Sequence, residues 1–124
     1  MNIIAIDYGT KNIGLAWCNE ALGVVLPFGL VKEKDLASLI NKEGINKIII
    51  GLPVGVGGSG EKNMERVKKF ADELKKQISI PIEFFDERFS SQEADRMTGG
   101  VSRDEKSAMI ILQSYLSKAK IKNK

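Results

Sequence analysis

The chain has 124 residues, 43% of them hydrophobic, and a formal net charge of +3. This length and composition predict one compact domain over residues 1–124. There is one cysteine and no histidine, which excludes a disulfide framework, a structural zinc site, a Ser-His triad and a Cys-His dyad within one chain. Acid, base or metal chemistry must therefore come from carboxylates, lysines, hydroxyls and water. Oxygen ligands of this kind suit Mg²⁺ or Mn²⁺.

The composition also predicts a cytoplasmic protein with no membrane association. No apolar stretch approaches the ~20 residues that cross a bilayer. The amino terminus, Met1-Asn2-Ile3-Ile4, lacks the basic start and the small-residue cleavage site of a signal peptide.

The first third of the chain predicts three antiparallel strands. The apolar, β-branched run at residues 1–6 reads as a buried strand that stops at Asp7-Tyr8-Gly9. Two further apolar segments, residues 14–18 and 23–31, follow at hairpin distances. A meander of three strands is therefore expected.

The pattern then alternates between helical and strand-like spacing. Strands separated by helices are expected to be parallel and joined by right-handed crossovers. Ser102 is a candidate cap for the final helix, with Glu105 at the third position of a capping box. The class is α/β, a five-stranded mixed sheet of three antiparallel strands and then two parallel strands, flanked by helices. The predicted elements are a helix at 34–40, a strand at 47–51, a helix at 61–77, a strand at 81–85, a short helix at 91–97 and a helix from 102 to about 117.

Acidic residues stand where two of these strands end and where the last helix begins. Asp7 and Asp86-Glu87 end apolar strands, and Asp104 lies in the first turn of the final helix. Carboxylates at the carboxyl edge of an open sheet are well placed for ligands, and phosphodiester hydrolysis uses converging carboxylates to hold one or two divalent ions. Simpler roles exist as well, because Asp7 could form a turn and Asp104 could interact with the helix dipole.

Four segments together resemble the signature segments of the YqgF family, also called RuvX, in order and over nearly the whole chain. The segments are Asp7-Tyr8-Gly9-Thr10-Lys11-Asn12-Ile13-Gly14, Gly51-Leu52-Pro53-Val54-Gly55, Asp86-Glu87-Arg88-Phe89-Ser90-Ser91 and Asp104-Glu105-Lys106-Ser107-Ala108-Met109-Ile110-Ile111-Leu112.

The resemblance implies an RNase H-like fold and a nuclease that matures the precursor of small-subunit (16S) ribosomal RNA. Older descriptions of the family imply a Holliday junction resolvase instead. It also implies that Asp7, Glu87 and Asp104 are the catalytic, metal-binding acids, with Asp86 as the alternative middle acid. Because the acid follows the fifth strand and not the fourth, it should lie about 10 Å from the first strand. Glutamate reaches further than aspartate, and this favours Glu87.

The charge distribution agrees with two interpretations, contact with the phosphates of a nucleic acid or a solvated helix end. Residues 103–124 carry six basic and two acidic side chains, whereas residues 1–102 carry 13 basic and 14 acidic ones. The family resemblance implies an RNA precursor in preference to a DNA junction, and the small size of the chain predicts a monomer or weak homodimer. A catalytically silent nucleic-acid-binding module is the remaining alternative. The candidate phosphate contacts are Lys11, Arg88, Arg103, Lys106, Lys118 and Lys120.

Overall fold

A computed structural model describes residues 1–8, 12–52, 60–86 and 103–122. These residues form five strands and three helices. The elements are β1 (Asn2–Tyr8), β2 (Ile13–Asn19), β3 (Val24–Val31), α1 (Glu33–Lys42), β4 (Lys47–Leu52), α2 (Gly60–Lys75), β5 (Ile82–Asp86) and α3 (Arg103–Lys122).

The strands form one mixed sheet in the order β3-β2-β1-β4-β5. β1 pairs antiparallel with β2, and β2 pairs antiparallel with β3. β4 pairs parallel with β1, and β5 pairs parallel with β4. The predicted meander and the predicted pair of parallel strands are both confirmed. β1 lies at the centre of the sheet. Because β1, β4 and β5 are parallel, their carboxyl ends lie at the same edge of the sheet.

Each face of the sheet is covered by helices. Ile4 and Ile6 of β1 belong to a core shared with α1 and α2. Ile3 and Ala5 belong to a second core shared with α3. Successive strand residues point to opposite faces, so the unbroken apolar run of β1 is what a strand needs when both of its faces are buried. Ile3, Ile4, Ala5 and Ile6 are indeed fully buried.

Three differences between the predicted and observed element bounds concern the ends of β1, β5 and α3. β1 continues one residue beyond Asp7, to Tyr8. β5 likewise includes Asp86. The prediction that α3 stops near Ser117 was wrong, since the helix continues to Lys122. Lysine and alanine are good helix formers, and this explains continuation beyond the apolar stripe. The helix predicted at residues 91–97 and the cap at Ser102 lie outside the described residues.

α3 has 20 residues, which is about the length of a helix that crosses a bilayer. Among the helices in the described part of the chain, none is both long and apolar enough to cross a membrane.

Candidate active site

Asp7 lies near the carboxyl end of the central strand, and its side chain is half-buried. Its neighbour Tyr8 packs against the core of α1 and α2. Ala5, two residues before Asp7, packs in the core of α3. Strand alternation therefore directs the Asp7 carboxylate to the α3 face of the sheet.

The residues beside Asp7 on the two neighbouring strands, β2 and β4, are both glycines. Gly14 of β2 is the registered partner of Asp7. On the other side Ile6 is paired with Ile50, so the next step along the parallel strands brings Gly51 beside Asp7. Neither neighbour adds a side chain beside the Asp7 carboxylate.

The end of β5 is level with the end of β1. Ile50 is paired with both Ile6 and Phe84, so these positions form one row across the three parallel strands. One residue further, Phe85 stands in the row of Asp7, and it belongs to the core of α3. Asp86, paired with Leu52, occupies the final strand position. The expectation that β5 lies two strands from β1 is confirmed.

The first turn of α3 is attached to the edge strand β3. Glu105 accepts a hydrogen bond through Oε2 from the backbone N–H of Gly29, at 2.9 Å in a partly buried setting. The register of β3 against β2 shifts next to this point, because Leu15 faces Gly29 whereas Ala16 faces Pro27. Gly29 has a φ of +98°, which favours glycine. Glu105 thus holds the helix start at an irregularity of the sheet, beyond the capping role that its sequence position suggested.

Further along α3, small and apolar residues bring the helix onto the sheet. Ala108 is fully buried and shares a core with Ala5 and Ala16. The small side chains of these three alanines allow this part of the helix to pack closely on β1 and β2. Arg103 and Asp104 are the first two residues of the helix, so their positions lie beside the contact between Glu105 and Gly29.

The other predicted site residues are placed only in part. Glu87, Lys11 and Arg88 lie outside the described residues. Lys106 is half-buried on α3, and Lys118 and Lys120 lie in its last turns. Where side chains are described, no group of three or more His, Cys, Asp or Glu converges to hold a metal ion.

Sequence reasoning missed a cluster that surrounds Tyr8 on the face opposite to Asp7. The Tyr8 hydroxyl donates a hydrogen bond to Glu33 Oε1 at 2.6 Å. Its ring stacks on Phe70 with centroids 4.3 Å apart, and the Arg66 guanidinium lies 5.2 Å from the ring centroid. The hydrogen bond to Glu33 raises the pKa of the Tyr8 phenol, burial raises it further, and the nearby Arg66 opposes both. The spacing of Arg66 and Phe70 by four residues on a helix was the available signal.

A second polar cluster lies at the opposite edge of the sheet. Lys47, at the start of β4, forms a 2.9 Å ion pair with Glu83 and donates a hydrogen bond to the Tyr115 hydroxyl. The Lys47 ammonium also lies over the Tyr115 ring. The hydrogen bonds to Glu83 and then Tyr115 raise the pKa of Lys47. Tyr115 is near the carboxyl end of α3, so this end of the helix, with Lys118 beyond it, lies away from the edge that carries Asp7.

The chain matches the model of the RuvX family, described as "Holliday junction resolvase", over residues 1–118. A protein of Rickettsia typhi named "Putative pre-16S rRNA nuclease" is 38% identical over 100 residues. That match covers 75% of this chain but only 64% of the relative, less than two thirds of its length. A protein of Koribacter versatilis with the same name is 36% identical, covering 94% of this chain and 86% of the relative.

Solved structures show the same fold at much lower identity. The Thermus thermophilus RuvC in complex with a Holliday junction substrate has a TM-score of 0.70 and 8% identity, covering 98% of this chain and 96% of that one. The Fowlpox virus resolvase, solved with Holliday junction DNA, has a TM-score of 0.61 and 13% identity, covering 96% and 99%. These likenesses establish the RNase H-like fold that the sequence resemblance implied. With the family match and the relatives above 30% identity, the chain belongs to the RuvX family.

Proposed function

We propose that this chain is a cytoplasmic, divalent-metal-dependent nuclease that hydrolyses phosphodiester bonds in the precursor of 16S ribosomal RNA. The observation that carries the proposal is the position of Asp7. Its half-buried carboxylate lies on the α3 face of the central strand, with Gly14 paired to it and Gly51 next in register. The first turn of α3 is held to the same sheet by Glu105.

The residues present fit Mg²⁺ or Mn²⁺, because the donor set consists of carboxylates. Asp7, Glu87 and Asp104 are the proposed ligands. Glu87 is proposed over Asp86 as the middle acid because β5 lies two strands from β1 and glutamate reaches further than aspartate.

Asp7, Glu87 and Asp104 would hold the divalent ion, which would supply a water of lowered pKa and a positive charge beside the phosphate. The chain supplies the geometry. Asp7 is held by a strand whose preceding residues are fully buried, so its carboxylate needs little reorganisation during the reaction. Glu105 positions the helix start that bears Asp104, and the two glycines place no side chain beside Asp7.

RNA is the proposed substrate because the curated relatives above 30% identity bear the pre-16S rRNA nuclease name. Holliday junction resolution is the second candidate, and the description of the family model favours it. Paired cuts at a junction need two sites related by a two-fold axis, whereas single-strand processing does not. A monomer or weak homodimer at micromolar concentration in light scattering would agree with RNA processing. A tight dimer that cuts only junctions would reverse the choice.

The proposal is tested by Asp7→Asn, with Asp72→Asn, an exposed acid on α2, as the matched control. Matched RNA and DNA substrates are incubated with each full-length variant in Mn²⁺. Loss of a metal-holding carboxylate is expected to reduce cleavage by roughly 100-fold or more, while Asp72→Asn retains it. A thermal-shift titration with Mn²⁺ gives a second readout, since a ligand that binds only the folded state raises its stability. Full Mn²⁺-dependent cleavage by Asp7→Asn would contradict the assignment.

A further inference from the structure

Arg66 is placed on Tyr8 by a cluster that fixes the ring from several sides. Phe70 stacks on the ring and Glu33 accepts the hydrogen bond of its hydroxyl. The guanidinium lies over the ring, 5.2 Å from its centroid. Arg66 itself is exposed on α2. No ion pair joins it to a carboxylate within the described ranges.

This arrangement leaves the guanidinium able to bind an anion. A guanidinium that lies on an aromatic ring uses its planar face for the contact, and its N–H groups lie in the plane and point outward. The preferred partners of such a planar donor edge are carboxylates and phosphates, which it can bind with two hydrogen bonds. The nearby Glu33 carboxylate already accepts a 2.6 Å hydrogen bond from Tyr8.

Arg66 also lies at the edge of the sheet that carries Asp7. α2 begins at Gly60, after the carboxyl end of β4, and Arg66 is about 9 Å along the helix from that start. Tyr8 directly follows Asp7, so strand alternation puts the carboxylate on the α3 face and the Tyr8–Arg66 pair on the opposite face. A nucleic acid strand held at Asp7 can reach Arg66 by crossing the end of β1.

We propose that Arg66, positioned by the Tyr8 ring, binds a backbone phosphate of the nucleic acid on the side of β1 opposite to Asp7. The inference rests on the proposed nuclease function for its substrate class. It adds a binding residue on α2 that lies in none of the four signature segments. Phosphate recognition by Arg66 carries no sequence information, so it aids binding to any single strand that follows this path.

The test compares Arg66→Gln with Lys75→Gln, both in a full-length Asp7→Asn background so that the probe stays intact. Lys75 is exposed in the last turn of the same helix, which returns towards the opposite edge of the sheet. The probe is a fluorescent single-stranded RNA of about twenty nucleotides, titrated at several salt concentrations. Loss of one phosphate contact should flatten the slope of log affinity against log salt by about 0.7. Lys75→Gln should leave the slope unchanged.

Three further variants separate charge from positioning. Arg66→Lys retains the charge and should recover most of the slope while binding more weakly, because it lacks the planar donor edge. Tyr8→Phe retains the ring and should keep the slope, whereas Tyr8→Leu should flatten it as Arg66→Gln does. Urea midpoints are measured for all variants, and slopes are compared only at concentrations where each is folded. Equal slopes for Arg66→Gln and Lys75→Gln would overturn the proposal.

Cleavage kinetics with native Asp7 distinguish failure of this inference from failure of the proposed function. Arg66→Gln is expected to raise KM with little change in kcat, since its contact is made equally in the ground and transition states. If the protein cleaves RNA but Arg66→Gln leaves the salt slope unchanged, only the proposed role of Arg66 is refuted. A protein that binds through Arg66 but never cleaves would instead refute the nuclease function.

Discussion

Replacing Glu105 by alanine should destabilise the protein by about 1.5–3 kcal/mol. A hydrogen bond to a charged group contributes that much, and its loss also leaves a donor without its partner. In this structure the donor is the N–H of Gly29, 2.9 Å from Glu105 Oε2 in a partly buried position. The lower half of the range is more realistic, because β3 is an edge strand and water can partly replace the carboxylate.

Equilibrium urea unfolding, followed by circular dichroism, measures this penalty. Glu105→Gln keeps an acceptor for Gly29 but loses the charge, so its penalty should be about half that of alanine. Glu65→Ala is the control, because Glu65 is an exposed acid in the interior of α2. It removes the same chemical group with an expected change within about 0.5 kcal/mol.

The Glu105 variants also report on the site. Because Asp104 precedes Glu105 on the helix, a loosened first turn should weaken the stabilisation that Mn²⁺ gives to the folded protein. Glu105→Ala should therefore show a smaller Mn²⁺-induced rise in melting temperature than Glu65→Ala. If the two variants have the same urea midpoint and the same response to Mn²⁺, the positioning role of Glu105 is refuted.

Two further predictions concern the far end of α3. Lys47 has a raised pKa because of its hydrogen bonds to Glu83 and Tyr115, so its stabilisation is complete below its ordinary pKa of 10.5 and is lost as pH rises through the raised value. The difference in unfolding free energy between wild type and Lys47→Met should thus shrink above pH 10.5, and a constant difference would contradict this. Truncation after Ser117 should flatten the salt slope by up to about 0.7 per lost phosphate contact, but only for long RNA, because Lys118 lies about 21 Å along the helix from Asp104. An unchanged slope with long RNA, or an equal effect on short and long RNA, would exclude this contact.

The sheet was predictable from the sequence because local patterns determine it. Apolar runs without alternation indicate strands that are buried on both faces, and β1 and β4 are of this kind. The change to helical spacing after β3 required a crossover, and a crossover makes the next strand parallel. Strand order and direction then followed from general rules of connection.

The contacts of the site could not be predicted in the same way, because they join distant segments. The hydrogen bond from Gly29 to Glu105 spans 76 residues, and nothing near either residue signals it. Glu105 fits a capping position in the sequence, and that local explanation concealed its role against β3. Arg66 is similar: its four-residue spacing from Phe70 is a weak local signal, and the position of Tyr8 in space is what distinguishes it from the other basic residues of α2.

The carboxyl end of β1 bears residues of both parts of the proposed site, which are Asp7 on one face of the sheet and Tyr8, beside Arg66, on the other. The turn-like sequence Asp7-Tyr8-Gly9 suggested that the strand stops there. In that case the side chains of Asp7 and Tyr8 would have had no fixed relation to the faces of the sheet. Because pairing continues through Tyr8 and Ile13, the carboxylate lies on the α3 face and the ring lies on the α2 face. Cleavage should therefore depend on the α3 side, and strand binding on the α2 side. A substrate that contacts both Asp7 and Arg66 must cross the carboxyl end of the central strand. A flexible single strand does this more readily than a stiff duplex.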